Sequence, residues 1–216
     1  MAVGLGNPGA QYAGTRHNVG FFFIDTLAQL SAADWTAKRG FFADWTKAED
    51  LFLLRPQTFM NNSGRAVAAA AAFWRLSPEQ IVVIHDEVDL APGIAKLKFG
   101  GGEAGHNGLR DISRALVTRD YWRLRLGVGK PENINADVSD YVLHRATSAE
   151  NAAIEQSVEQ VLAVWSDFIG GDSEKAMLTL HTKDTPNKKP KEEPKRPHVE
   201  TATGKAEAGK AEAARK

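Results

Sequence analysis

The chain has no cysteine among its 216 residues, so disulfides, thiolate metal sites and a cysteine nucleophile are all excluded. It also lacks a serine in a G-x-S-x-G elbow. Ser63 stands between Asn62 and Gly64 and, with Asn62 as the alternative, reads as a helix cap, which removes the usual serine-hydrolase route. No apolar run is long enough to span a bilayer, and no basic leader with an apolar core and small-residue cleavage site opens the sequence. A soluble, cytoplasmic protein is therefore expected. There is no excess of positive charge either, since 27 basic and 27 acidic side chains cancel. Residues 183–216 hold 10 basic and 6 acidic residues, which leaves 17 basic against 21 acidic before them. A mildly acidic body weighs against a general nucleic-acid coating protein, yet it permits a local basic patch serving a few phosphates.

What is present points to one catalytic-sized domain over residues 1–182 and a tail over 183–216. After Lys183 aromatic residues stop, and Gly204 and Gly209 open two copies of Gly-Lys-Ala-Glu-Ala; such a composition buries too little apolar surface to fold, so the tail is expected to be disordered. Before it, apolar runs of strand length fall at Met1 to Leu5, Leu51 to Leu54, Ile81 to Ile84, Ala95 to Phe99 and Trp122 to Val128, with Phe41 to Thr46 less marked. Helical periods lie between them, at Val19 to Leu30, Ala66 to Trp74, from about Asn107 to Leu116, along Ile154 to Ile169, and from Ser173 to about Leu180. This alternation predicts a three-layer α/β/α sandwich around a mixed, mostly parallel sheet. Only three residues precede Gly4, so either the first strand is short or the sequence starts inside the gene.

Four short clusters hold most of the Asn, His and Gly: GLGNPGAQYAGTRHNVG (Gly4 to Gly20), TFMNNSG (Thr58 to Gly64), HDEVD (His85 to Asp89) and GGGEAGHNG (Gly100 to Gly108). Each follows an apolar run or opens a helical stretch, the distribution of a site built where loops converge at a sheet's carboxyl edge. Gly4, Gly6 and Gly9 satisfy the G-x-G-x-x-G pattern of dinucleotide folds. Against that reading, Pro8 occupies the turn, Ala10 to Thr15 read as loop, and Gln29 stands where a ribose-binding carboxylate would be.

Asn7, which is also a common kind of turn residue before proline, offers a neutral amide that donates and accepts. His17 sits where a loop becomes a helix; it is a candidate general base if a carboxylate fixes its tautomer, and otherwise a surface or capping residue. Asp86, at the end of the run Ile81 to Ile84, is the candidate orienter. A metal reading of His85, Asp86 and Asp89 finds no helical histidine pair or cysteine cluster to complete it, and strand alternation sends His85 and Asp86 to opposite faces. No metal is expected. Asn61 and Asn107 supply two more amides beside glycines, and the Gly100 to Gly108 stretch runs into a helix start suited to anions or extended chains, or is a flexible surface loop. With serine and cysteine nucleophiles set aside, water activated by histidine is the simplest hydrolytic scheme these residues support.

Taken together, GLGNPG with Tyr12 and TRHNVG, then FMNNSG, HDEVDLAPG, KFGGGEAGHNG and RLRLGVG resemble bacterial peptidyl-tRNA hydrolases, in order and spacing, over about residues 1 to 180. The resemblance implies a monomeric enzyme without cofactor that cleaves the ester between a peptide's carboxyl terminus and the terminal ribose of tRNA. It further implies His17 as base, Asp86 as its partner and Asn7 as the third catalytic residue, sensing the peptide. Tyr12, Phe59, Asn61 and Asn107 would line the contact with the tRNA end and peptide, and Lys98 and Arg125 match positions used on the terminal phosphate. Glu103-Ala104 departs from the family pattern, where His or Gly is more usual, and sets a carboxylate near bound RNA. A non-catalytic RNA-binding module is the alternative class; it has no aromatic stacking ladder or basic stripe in its favour.

Overall fold

The computed structural model describes residues 1–131, 133 and 135–182; the tail expected to be disordered, 183–216, lies outside the described residues. Strands and helices follow in the order β1 (Ala2–Gly4), α1 (Val19–Leu30), β2 (Thr36–Lys38), β3 (Ala43–Ala48), β4 (Leu51–Pro56), α2 (Ser63–Trp74), β5 (Val82–Glu87), β6 (Ala95–Phe99), α3 (Asn107–Leu116), β7 (Trp122–Gly127), α4 (Val138–Leu143), α5 (Ser148–Ile169) and α6 (Ser173–Thr182). The seven strands form one sheet in the order β2-β3-β4-β1-β5-β7-β6. Its four central strands, β4, β1, β5 and β7, are parallel, while β2, β3 and β6 pair antiparallel at the edges. The expected parallel character is thus confined to the centre, where strands are covered on both faces and read as unbroken apolar runs.

Two apolar layers sandwich the sheet. On one face Phe23 and Ile24 of α1, Val161 and Trp165 of α5 and Leu180 of α6 pack with Val82, Ile84, Leu124 and Leu126. On the other, Val67 and Ala70 of α2 and Leu109 and Ile112 of α3 pack with Val3, Leu5, Ile81 and Val83. Burial of this kind contributes roughly 25 cal/mol for each Å² of apolar surface removed from water.

The elements absent from the sequence reading are the ones this logic does not reach. β2 is an exposed edge strand without an apolar pattern, and α4 has six residues with only Val142 buried. The strand expected from Phe41 begins instead at Ala43, because Phe41 ends a 3₁₀ turn and Phe42 is left-handed, at φ 52°. Ser63 is not a cap. It is the first residue of α2, and its hydroxyl donates to the Met60 carbonyl at 2.9 Å.

α1 lies directly on β1 and β5 because glycines clear the way. A Cβ on Gly20 would stand 2.4 Å from the Ile84 carbonyl oxygen and 2.5 Å from the Leu5 nitrogen, and one on Gly4 would stand 2.3 Å from the Gly20 oxygen. The backbones lock there, with Leu5 N–H donating to Ile84 O and Phe21 N–H to Leu5 O. Since neither backbone can yield cheaply, Gly20→Ala is expected to destabilise the protein by about 1–3 kcal/mol, read as a lower urea midpoint at unchanged slope.

Candidate active site

The first loop is tied down by its own amides. Asn7 N–H donates to Asn18 Oδ1 at 2.8 Å, and Asn18 Nδ2 returns a bond to the Asn7 carbonyl at 2.9 Å. Asn18, the residue before α1, therefore spends its side chain on this clasp and not on capping the helix. The Asn7 side chain crosses to a third element, where its Oδ1 accepts the Met60 N–H at 2.8 Å. That bond settles which way the amide faces and leaves Nδ2 as the donor it offers.

Between the two clasped asparagines the chain carries His17 to β5. His17 Nδ1 donates to Asp86 Oδ1 at 2.8 Å, with the imidazole 11% and the carboxylate 3% exposed. Asp86 is near the carboxyl end of the central parallel strand, the place where open α/β sheets present their sites. Burial alone would raise the Asp86 pKa, but the His17 and His106 rings outweigh it and hold the carboxyl far below the usual range, so it is ionised at every working pH. Burial pushes His17 down, and the charge and hydrogen bond of Asp86 more than reverse this, leaving it above 6.5. With Nδ1 carrying its proton toward Asp86, the neutral ring keeps its lone pair on Nε2.

Around this pair is a cleft of about 600 Å³ lined by Asn7, Tyr12, His17, Phe59, Asn61, Asp86 and Asn107, so seven of the nine site residues expected from sequence come together. Tyr12 and Phe59 meet edge to face, 6.3 Å between centroids. Asn107 opens α3, and its Oδ1 accepts Arg110 Nη1 at 3.3 Å, which leaves Nδ2 to donate. Val138, Val142 and Leu143 of α4 give the cleft an apolar wall. Lys98 and Arg125 do not line it: Arg125 Nε donates to Glu87 Oε2 at 2.9 Å, and Lys98 faces Arg123 across the β6–β7 ladder.

A second cavity of about 610 Å³ lies beside the first loop, lined by Arg16, Phe22, Asp25 and Arg55 among others. Its Arg55 bonds Asp25 and also Asp44, and its Arg16 bonds Glu150. It contains neither His17 nor Asp86, so the chemistry belongs to the other cleft.

Three features were not foreseen. His106 Nε2 is 3.0 Å from the same Asp86 oxygen that His17 uses. Arg16 staples the His17 turn to distant chain through the carbonyls of Tyr141, His144 and Arg145 and the Glu150 carboxylate, with its guanidinium 4.0 Å over the Tyr141 ring. In the Gly-rich stretch, which is largely exposed and outside helix and strand, the Gly101 and Gly102 carbonyls accept from the buried Arg123 at 2.8 and 2.6 Å. Glu103 does line the cleft, but Arg119 Nε donates to it at 2.7 Å and offsets its charge.

The metal reading of His85, Asp86 and Asp89 does not match the geometry. His85 Nδ1 is bonded to the Asp86 carbonyl and burial drives the ring down to about 3, keeping it neutral, while Asp89 pairs with Lys130. Among the described residues one group of possible ligand atoms converges, those of His17, Asp86 and His106, within 4.8 Å of one another. Both rings aim at a single carboxylate oxygen at hydrogen-bond distance, which makes the group a hydrogen-bonded array.

The sequence model of the family described as Peptidyl-tRNA hydrolase matches residues 1–190. This chain belongs to the peptidyl-tRNA hydrolase family. Curated members from Polynucleobacter asymbioticus and Variovorax paradoxus are each 46% identical to it, over 85% and 88% of this chain and 98% and 92% of their own. The crystal structure of a family member from Acinetobacter baumannii superposes with a TM-score of 0.79 at 38% identity, covering 83% of this chain and 92% of that one. The seven-stranded sheet flanked by helices is thus the fold of the family.

Proposed function

We propose that this chain hydrolyses the ester linking a peptide, or an N-blocked aminoacyl group, to the terminal ribose of tRNA, with water activated by His17. The observation that carries the reading is the buried His17–Asp86 hydrogen bond of 2.8 Å, which reserves Nε2 for the cleft. Water bonded to Nε2 gives up a proton as its oxygen adds to the ester carbonyl; the tetrahedral intermediate then expels the ribose oxygen, which takes the same proton back from Nε2. Asp86 keeps the tautomer and stabilises the transient imidazolium without itself being protonated. An ester is already activated, so positioning and general-base catalysis suffice, and no cofactor enters this scheme.

The amides take separate parts. Asn7, locked by Asn18 and Met60, is fixed before substrate arrives and suits recognition of the peptide next to the ester. Asn107 Nδ2, and Asn61 beside it in the cleft, are the donors available to the oxyanion. Tyr12 and Phe59 present apolar ring surface at the mouth, suited to the tRNA end. The domain doing this is residues 1–182, acting as a monomer in the cytoplasm, where its substrate arises. Among the described residues no helix is long and apolar enough to cross a membrane.

With N-acetylated aminoacyl-tRNA as substrate, the wild type is expected to release the acyl group and to spare the free aminoacyl form. His17→Ala should lose about 10²- to 10⁴-fold in kcat, and Asn107→Ala about 10²-fold with KM little changed. A non-catalytic RNA-binding module would show no release in any of these assays. For the terminal phosphate, Lys98→Ala or Arg125→Ala should weaken full-length tRNA substrates and flatten the dependence of log KM on log salt while leaving minimal esters unaffected; an unchanged salt slope removes both residues from the phosphate site.

A further inference from the structure

His106 shares an oxygen with His17. Its Nδ1 accepts the Leu109 N–H at 3.3 Å, as the cap of α3, so in the neutral ring the proton is on Nε2, which donates to Asp86 Oδ1 at 3.0 Å. The side chain is 8% exposed, and its ring centroid is 5.1 Å from that of His17. One carboxylate oxygen therefore receives two imidazole donors, and what it gives to one it withholds from the other.

We propose that His106 is a positioning residue for the hydrolysis, which by donating to Asp86 Oδ1 holds the carboxylate in place and weakens its grip on the His17 proton. The inference rests on His17 being the base. A base that returns its proton to the leaving ribose oxygen must not bind that proton too tightly, and a neutral second donor restrains Asp86 without adding a charge.

The other ionisable groups facing the array are engaged elsewhere. On β5, His85 bonds the Asp86 carbonyl and Glu87 bonds Arg125 of β7. Arg123 of β7 is held by Gly101 and Gly102, Arg16 by Glu150, Glu103 by Arg119, Asp89 by Lys130, and Asp111 of α3 accepts the Gly64 N–H. His106 is left as the group that competes directly for Asp86.

The test separates this role from capping. His106→Asn keeps a side-chain oxygen able to cap α3 but is too short to reach Asp86; His106→Gln keeps a donor at the reach of Nε2. The His17 ring titration, followed by NMR, is expected to rise by roughly 0.5–1 pH unit in His106→Asn, with the acid limb of kcat/KM rising alongside and the melting temperature near wild type. His106→Gln should stay close to wild type. A His17 titration that is unchanged or lowered in His106→Asn overturns the proposal, as does an equal shift in both variants. The NMR readout needs no turnover, so it is distinguishable from a failure of the hydrolase reading, which His17→Ala addresses.

Discussion

The hydrogen bond between His17 and Asp86 joins positions 69 residues apart in the chain, and much of the architecture exists to make it short. It requires the turn before α1 to arrive above the carboxyl end of β5. That in turn requires α1 to lie against β1 and β5 more closely than any side chain would allow, which Gly4 and Gly20 permit. Gly4, the first glycine of what looks like a phosphate-binding signature, is therefore a packing residue.

Around this contact the loops are fastened to one another before substrate enters. Asn7 and Asn18 clasp across the His17 turn, Asn7 reaches on to Met60, and Arg16 ties the same turn to Tyr141, His144, Arg145 and Glu150. Arg16 is 7% exposed, so its charge must be met, and the carbonyls with Glu150 meet it; removing either side would leave the other buried and unpaired. Among the polar groups this leaves directed into the cleft are Nε2 of His17 and the Nδ2 donors of Asn7 and Asn107. Preorganised donors of this kind are what acyl transfer needs, since they act without reorganising as charge develops.

The central strands were readable because both their faces are buried, so runs such as Ile81 to Ile84 carry the signal directly. β2 and α4 were not, since Thr36–Lys38 is solvent-exposed at an edge and α4 commits a single side chain to the core. His17 and Asp86 were legible as chemistry, a histidine needing a carboxylate and a carboxylate at a strand end. That they meet follows only from the fold. His106 was hidden by its surroundings, as a residue between a glycine-rich stretch and Asn107 reads as loop, and its partner is 20 residues away. Arg16 was hidden by charge, because cations in a sequence usually mark solvated surface and nothing local foretells partners more than 120 residues later. Lys98 and Arg125 were named through family resemblance alone, and the geometry sets them outside the cleft.

The central claim is that Asp86 makes His17 the base. Its most direct test is the pH dependence of kcat/KM on N-acetylated aminoacyl-tRNA, wild type beside Asp86→Asn. A base works only when unprotonated, so the wild-type acid limb should lie above 6.5, the ordinary histidine value that Asp86 raises. In Asp86→Asn burial acts without the opposing charge, so the limb should move to lower pH while the plateau falls roughly 10²- to 10⁴-fold as the tautomer is lost. An acid limb and a plateau that are the same in both proteins would contradict the account.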